Sequence, residues 1–189
     1  MAGATLPLFP LGTLLVPGQV MPLRLFEGRY LALHRDLMAR PEQERSVGVV
    51  LILEGSEVGV DRTGTLATVG CEGVLLAHEE ATVAGRPIVL WQLQGARRFR
   101  LERHDVAPEG FLEGEVSWLD VEPDETGMLV HQRCAEAGLG VRDRQRVLEA
   151  PDAATRDALA ERLIRRESWL REQFGGRPVH QVPSNESLN

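Results

Sequence analysis

Residues 6–30 read LPLFPLGTLLVPGQVMPLRLFEGRY, and this apolar stretch decides how the rest of the chain folds. It is interrupted by four prolines, Pro7, Pro10, Pro17 and Pro22. Because each proline removes a backbone donor and fixes φ, the stretch cannot form one long helix. The sequence therefore predicts short extended segments joined by turns, and then a helix that begins where polarity rises at the end of the stretch.

The segment after this stretch has a helical pattern, and a strand pattern follows it. Tyr30, Leu33 and Leu37 recur at helical spacing, with Leu31 and Met38 beside them, and predict a helix with one apolar face. Residues 47–53 are apolar at both parities, which predicts a strand buried on both faces near the centre of a sheet. Residues 54–64 are rich in glycine and charge and predict an exposed loop.

The next segments predict further strands. Residues 65–76 resume a strand pattern, in which Gly70 and Gly73 are expected at bulges or bends of the kind that let a small barrel close. Residues 85–87, Gly-Arg-Pro, predict the turn of a hairpin.

The last part of the β-rich region alternates between apolar and charged residues. Phe99 and Leu101 alternate with Arg98, Arg100 and Glu102, so these three charged side chains are expected to face solvent. Residues 111–121 predict one more strand, with a bulge near Trp118.

Beyond residue 123 the pattern becomes helical. Asp124 is expected to cap a helix that ends near Ala137 and Gly138, with Met128, Leu129 and Cys134 facing inward. Residues 143–150 predict a short helix. Asp152 is expected to cap a longer one, whose apolar face comprises Ala158, Leu159, Leu163, Trp169, Leu170 and Phe174.

Composition excludes several kinds of chemistry. The chain of 189 residues has a formal net charge of −7, and all 21 basic residues are arginine. Without lysine there is no phosphate-binding loop of the Gly-Lys-Ser/Thr type, no Schiff base and no Ser-Lys dyad. The N-terminal stretch has no positively charged region, which predicts no signal peptide, and no apolar run is long enough to span a bilayer. We expect a soluble, cytoplasmic protein.

Candidate metal and catalytic groups are few. Cys71 and Cys134 match no metal spacing, so reduced thiols are the simpler expectation and a disulfide between them is the alternative. His131 and Cys134 lie three residues apart on a predicted helix, and residues 78–80 read His-Glu-Glu; packing and a polar strand end explain these groups more simply than a metal. No nucleophile elbow or zinc-protease motif is present. We therefore predict no catalytic residue, no metal and no cofactor.

Two separated sequence words identify a family resemblance. The ordered words LPLFPLG, PG, MPL and FEGRY, and then Gly95-Ala96-Arg97-Arg98-Phe99-Arg100-Leu101, resemble the N-terminal, substrate-binding domain of the Lon protease family. The family usually has FEPRY, so Gly28 is a departure that costs the pre-set φ of proline at a helix start. Since lysine is absent, the resemblance is to a stand-alone form without ATPase or peptidase domains.

The resemblance implies an α+β fold. Residues 1–122 are expected to form a PUA-like bent β-sheet or pseudo-barrel with one packed helix. Residues 123–175 are expected to form a C-terminal helical subdomain, and residues 176–189 a polar tail.

Five residues are candidates for binding. Glu27, Arg29 and Tyr30 end the first word, and Glu27 with Arg29 forms either a local ion pair or a contact with a partner. Arg97 and Arg98 belong to the densest basic cluster, which forms either a nucleic-acid patch or pairs with nearby acids.

In this family the domain recognises unfolded or tagged protein substrates. The resemblance thus implies a non-catalytic, bacterial, cytoplasmic module that binds protein or unfolded peptide, or acts as an adaptor, with a homodimer left open and no membrane partner. RNA binding by the PUA-like surface is the alternative, although a net charge of −7 weighs against a nucleic-acid partner. An undetected hydrolase is a third hypothesis.

Overall fold

The computed structural model describes residues 3–54, 64–120 and 125–174. Within these ranges it contains seven strands and four α-helices. The strands are β1 (Gly3–Leu11), β2 (Val20–Leu25), β3 (Ser46–Glu54), β4 (Thr65–Leu66), β5 (Val69–Val83), β6 (Arg86–Val106) and β7 (Leu112–Trp118). The helices are α1 (Gly28–Met38), α2 (Glu125–Glu136), α3 (Val141–Leu148) and α4 (Ala153–Phe174).

The strands form a closed but uneven ring. Their order is β1-β7-β6-β5-β3, and β1 pairs in parallel with β3 to close the circuit, while the other ring pairs are antiparallel. The strand β2 pairs with β6 outside the ring, and β4 pairs with the end of β3. This arrangement confirms the predicted α+β class with a pseudo-barrel, and it places residues 47–53 in a central strand.

Two glycines leave space for the ring of Phe99, the aromatic residue in the family-like segment 95–101. Phe99 is fully buried in a cluster with Leu8, Val50 and other side chains of the ring strands. A Cβ atom at Gly48 or Gly70 would lie within 2.9 Å of the Phe99 ring, so neither position has space for a side chain. The sheet closes here because these two strands carry glycine opposite a large side chain.

The N-terminal stretch is hydrogen-bonded to the same segment, residues 95–101. Gly18 donates a backbone hydrogen bond to the Gly95 carbonyl at 2.8 Å, and Gly95 donates to the Gln19 carbonyl at 2.8 Å. The main core lies between α1 and the sheet, and Tyr30, Leu33 and Leu37 of α1 are all buried in it. The predicted order of strand, turn, strand and helix in residues 6–30 is confirmed.

The strands β5 and β6 form the longest hairpin. Its two-residue turn, Ala84-Gly85, has positive φ at both positions, 50° and 74°. That is the geometry of a type I′ turn, whose twist matches that of the flanking strands. The register of the hairpin shifts at two places near Gly73. Between the Cys71–Arg98 and Gly73–Gly95 pairs, Ala96 and Arg97 of β6 lie opposite Glu72 alone, so the bulge expected near Gly73 has its extra residue in the partner strand. Leu76 is the extra residue of β5, between the Leu75–Leu93 and Ala77–Gln92 pairs.

By contacts between residues the chain divides into two units, Met1–Met128 and Leu129–Asn189. The second unit has its own core, formed by Val130, Cys134, Leu139, Val147, Ala160 and Leu163. Asp152 caps α4 as predicted, because its Oδ1 accepts a hydrogen bond from the Thr155 backbone amide at 2.8 Å. The predicted boundaries at residues 122 and 175 remain predictions.

The structure corrects two expectations in the β region. Arg98 was expected to face solvent, but it is 1% exposed because the Asp120 carboxylate binds its guanidinium. The bulge expected near Trp118 of β7 lies instead in the partner strand β6, where Glu102 is the extra residue between the Leu101–Val116 and Arg103–Glu115 pairs.

The helical region also differs from its pattern. Leu129 is 56% exposed, and Ala158, Trp169 and Phe174 of α4 are exposed as well, although all four were expected to face inward. The shorter helices α2 and α3 contribute to a core that extends only to Leu163 and Ile164 along α4. Within the described part of this unit, the last turns of α4 therefore lie beyond its core.

Three expectations fall outside the described residues: most of the loop at residues 54–64, the cap at Asp124 and the tail at residues 176–189. In the described part of the chain, no helix has the length and apolar character needed to cross a membrane.

Candidate binding site

The candidates in the word FEGRY form one local cluster at the start of α1. Arg29 Nη2 lies 2.8 Å from Glu27 Oε2, and both side chains are mostly buried. The Arg29 guanidinium lies 4.6 Å from the centroid of the Tyr30 ring, and this ring stacks on Phe9 at 4.1 Å. Because Tyr30 is 6% exposed, it contributes to the core and has little surface to offer a partner.

The two candidate arginines of β6 are both engaged by acids of the same chain. Arg97 Nε donates to Glu72 Oε2 at 2.9 Å, and its guanidinium lies 3.8 Å from the centroid of the Trp118 ring. Arg98 donates to both oxygens of Asp120 and is buried. The sequence left two hypotheses for the basic cluster, a nucleic-acid patch or pairing with nearby acids. These contacts support pairing with acids.

A groove between α1 and the tip of the β5–β6 hairpin is the concave feature near the first cluster. Its volume is about 540 Å³, and it is lined by Gly28, Leu31, His34 and Arg35 of α1 and by residues 80–82 and 87–89 of the hairpin. Volumes of this order suit a few side chains or a small ligand. The lining combines apolar side chains with His34, Arg35, Glu80 and Thr82, so it offers both contact area and hydrogen-bonding groups.

A hydrogen-bond chain runs from the core to the edge of this groove. Trp91 Nε1 donates to His34 Nδ1 at 3.1 Å, and His34 Nε2 lies 3.1 Å from Glu80 Oε1. Since indole N–H can only donate, His34 Nδ1 must be the acceptor, and Nε2 carries the imidazole proton. His34 is 3% exposed, whereas the Glu80 side chain is 70% exposed. The buried core thus presents an N–H donor to an exposed carboxylate.

His34, His78 and Glu80 also have the composition of a zinc site. One ligand atom from each lies within 4.8 Å of the others. Two histidines and a carboxylate can bind zinc, but a metal-bound histidine normally donates its other ring nitrogen to an acceptor. In His34 that nitrogen accepts from Trp91 instead, so Nε2 is protonated and has no lone pair for a metal. The donor chemistry favours a hydrogen-bonded cluster.

The other metal candidate lies inside the second unit. His131 is 1% exposed and Cys134 is fully buried on α2. Burial raises the pKa of the Cys134 thiol, which keeps it protonated, and a protonated thiol is a poor metal ligand. The geometry therefore agrees with packing.

Sequence reasoning missed His34. Its spacing from Tyr30 and Leu37 places it on the buried face of α1, where a polar side chain needs a partner. That signal was present in the sequence. Its partners lie far away in sequence, Glu80 in β5 and Trp91 in β6. Only the folded hairpin brings them next to His34, so the sequence alone did not indicate these hydrogen bonds.

Comparison with known proteins places the chain in a family. The model of the ATP-dependent protease La (LON) substrate-binding domain matches residues 5–137. Among solved structures, the chain is similar to a Lon N-terminal domain protein from Xanthomonas campestris, at 29% identity and a TM-score of 0.60, covering 86% of this chain and 98% of that one.

The fold is also similar to the N-terminal domain of Lon protease from the Mycobacterium avium complex. The TM-score is 0.58 at 14% identity, with 86% of this chain and 98% of that chain covered. No curated protein matches the chain significantly. The matched residues span the ring of strands, α1 and the groove, and the chain belongs to the Lon substrate-binding domain family.

Proposed function

We propose that this protein is a non-catalytic module that binds extended segments of other proteins, and that the groove between α1 and the β5–β6 hairpin is its binding site. The observation that carries the proposal is the groove itself, which is about 540 Å³ in volume and is bounded by a helix and a hairpin rather than by loops. Membership of a substrate-binding domain family supports it.

The lining suits an extended peptide better than a compact small molecule. Apolar surface from Leu31, Ile88 and Val89 lies beside the polar groups of His34 and Glu80. Such a mixture can accept side chains of varied sequence while backbone groups are hydrogen-bonded. Recognition of unfolded substrates requires this tolerance. An adaptor role, in which the bound segment is handed to another protein, is part of the same proposal.

RNA binding is less well supported. Arg97 and Arg98 are engaged by Glu72 and Asp120, and Arg103 pairs with Glu115. Phosphate binding requires positive charge that is free to replace counterions, and the net charge is −7.

The cysteines support a cytoplasmic location for the proposed module. Both are free and buried, as expected in a reducing compartment.

A binding assay with a permanently unfolded protein tests the proposal. The probe is fluorescently labelled lactalbumin that has been reduced and carboxymethylated, and the native, disulfide-bonded form is the control. We expect the domain to bind the unfolded probe and not the native one. If fluorescence anisotropy detects no binding of the unfolded probe at any attainable domain concentration, the proposed function is wrong.

Gly28 offers a matched pair of variants that locates the site. A Cβ atom at this position would meet nothing within 4 Å, and Gly28 lines the groove. Gly28→Trp should fill the groove and weaken binding roughly tenfold or more, without lowering the thermal midpoint. Gly28→Ala makes the same backbone change with a small side chain and should bind like the parent. Equal binding by both variants would place the site elsewhere.

A further inference from the structure

The outer edge of β5 has a pairing partner over only part of its length. β5 pairs with β6 along its full length but with β3 only from Cys71 to Val74. The Leu75 amide then donates to the Arg45 carbonyl at 2.9 Å. Beyond that bond, and within residues 3–54, 64–120 and 125–174, no strand pairs with the outer edge of residues 76–83.

The hairpin turn determines which backbone groups face this free edge. Val83 and Arg86 flank a two-residue turn, so they form a hydrogen-bonded pair, and pairs alternate along an antiparallel ladder. Thr82, Glu80 and His78 therefore direct their N–H and C=O groups away from β6. Pro87, opposite Thr82, has no N–H, which agrees with this alternation.

The same residues also lie beside the groove. Glu80 and Thr82 line it, and the His78 ring lies 5.1 Å from the His34 ring. A peptide strand added at this edge would continue the sheet, so alternate side chains of the peptide would lie on the side of the groove. The free edge spans roughly 25 Å, enough for seven or eight residues of extended peptide.

Charge decides between two occupants of the edge. Residues 78–80 read His-Glu-Glu, and Glu79 and Glu80 are exposed. If a second copy paired here in antiparallel register, with the outward-facing His78 and Thr82 opposite each other, Glu80 would lie directly opposite Glu80 of that copy, and like charges in this position are destabilising. A basic peptide would instead form opposite-charge pairs with both carboxylates. The exposed Leu76 and Val83 provide apolar contacts at the two ends of the edge.

We propose that an extended, basic segment of unfolded protein binds by adding a strand to the free edge of β5. Its backbone pairs with His78, Glu80 and Thr82, and its arginine or lysine side chains lie over Glu79 and Glu80. This inference rests on the proposed function, because it names how the bound segment is held and which segments bind best. It explains tolerance of sequence, since most of the hydrogen bonds go to the backbone of the peptide.

A pair of labelled peptides tests the backbone pairing. The probe is an octapeptide of the sequence Val-Arg-Arg-Val-Val-Arg-Arg-Val, in which consecutive arginines lie on opposite faces of the strand and can reach both Glu79 and Glu80. Its twin carries N-methyl groups on four consecutive amides, which removes donors from both of its edges. We expect the twin to bind roughly tenfold or more weakly than the probe. Hydrogen exchange measured by NMR should show that the amides of His78, Glu80 and Thr82 become protected when the probe binds.

Variants of the domain test the same pairing from the other side. Thr82→Pro removes one outward N–H and should weaken probe binding severalfold, whereas Thr82→Val keeps the N–H and should bind like the parent. Glu79→Arg should weaken binding of the basic probe and strengthen that of the octapeptide in which glutamate replaces each arginine. The peptide pair does not depend on the folding of any variant.

The outcomes separate this inference from the proposed function. If the domain binds unfolded lactalbumin but N-methylation and Thr82→Pro have no effect, strand addition is wrong and the proposed function stands. If no unfolded polypeptide binds, both fail together. If sedimentation shows a dimer that Thr82→Pro converts to a monomer, a second copy occupies the edge and the inference is overturned.

Discussion

Three N–H groups of Arg98 donate hydrogen bonds to the Asp120 carboxylate. The guanidinium donates Nε–H to Oδ2 at 2.9 Å and Nη2–H to Oδ1 at 2.8 Å, and the Arg98 backbone amide donates to Oδ2 at 3.0 Å. The Leu119 amide returns a bond to the Arg98 carbonyl at 3.0 Å. The segment that leaves β7 is thereby fixed against β6 by a bidentate ion pair with little access to water.

Removing one member of this pair should be strongly destabilising. The side chains of Arg98 and Asp120 are 2% and 12% exposed, so Asp120→Ala leaves an uncompensated charge in the protein interior. We expect the free energy of unfolding in urea to fall by about 3 to 5 kcal/mol. Arg98→Lys keeps the positive charge but should also lower the free energy of unfolding, because an ammonium group cannot form the bidentate contact.

The double variant Arg98→Met/Asp120→Leu is the control for this prediction. It removes both charges, so it should be less destabilised than Asp120→Ala alone. A loss below about 1 kcal/mol in Asp120→Ala would mean that water reaches the guanidinium and that the pair acts as an exposed one.

Gly95 should not tolerate a side chain. A Cβ atom there would collide with the Val16 carbonyl oxygen, a backbone atom held by the hydrogen bonds of the adjacent turn. Gly95→Ala should therefore lower the free energy of unfolding by at least about 2 kcal/mol. Gly28→Ala, at an open position, is the matched control and should be neutral or slightly stabilising. Similar urea midpoints for the two variants would contradict the predicted close approach.

The protonation of His34 can be observed directly. Nitrogen-15 NMR of the imidazole should show the Nε2–H tautomer, because Nδ1 accepts from Trp91. Trp91→Phe should remove this preference and cost about 1 to 3 kcal/mol, since a buried acceptor loses its donor. An equimolar addition of zinc should leave the thermal midpoint of the parent unchanged. A zinc-induced rise in that midpoint would show that the cluster binds metal after all.

The cap of α4 should make the stability of the second unit sensitive to acid. The Thr155 backbone amide donates to Asp152 and lowers the pKa of this carboxyl. The folded state thus binds the Asp152 proton more weakly than the unfolded state does. The contribution of the charged cap is complete above the unfolded pKa of about 3.9 and is lost as pH falls through the lower, folded value.

Asp152→Asn keeps a capping oxygen but does not titrate. The thermal midpoint of the parent, relative to this variant, should therefore be constant above about pH 4 and fall as the pH is lowered further. A difference that stays constant below about pH 4 would show that Asp152 does not contribute to the acid sensitivity.

The sequence predicted the fold well because its signals were local. The prolines of residues 6–30 and the double-parity strand at residues 47–53 constrain backbone conformation over a few residues each, and the corresponding strands form where expected. Expectations failed where a distant partner determined the outcome. Arg98 follows the alternation of an exposed residue, and only Asp120, brought next to it by the return of β7, accounts for its burial.

The candidate site was less predictable for the same reason. Glu27, Arg29 and Tyr30 are close in sequence, and their cluster could be anticipated. The groove depends on α1 lying beside the hairpin tip, which no short segment encodes. The exposed Trp169 illustrates the reverse problem, because helical periodicity says which residues share a face but not how far along the helix a partner extends.

The two buried cysteines give each unit a thiol of its own. Cys71 lies in the main core beside the sheet and Cys134 in the core of the second unit, and both are 0% exposed. Burial raises the pKa of both thiols, so neither reacts readily while its surroundings stay folded. The rate at which each is alkylated therefore measures how often its own unit opens. A comparison of the two alkylation rates would show whether the two units open together or separately.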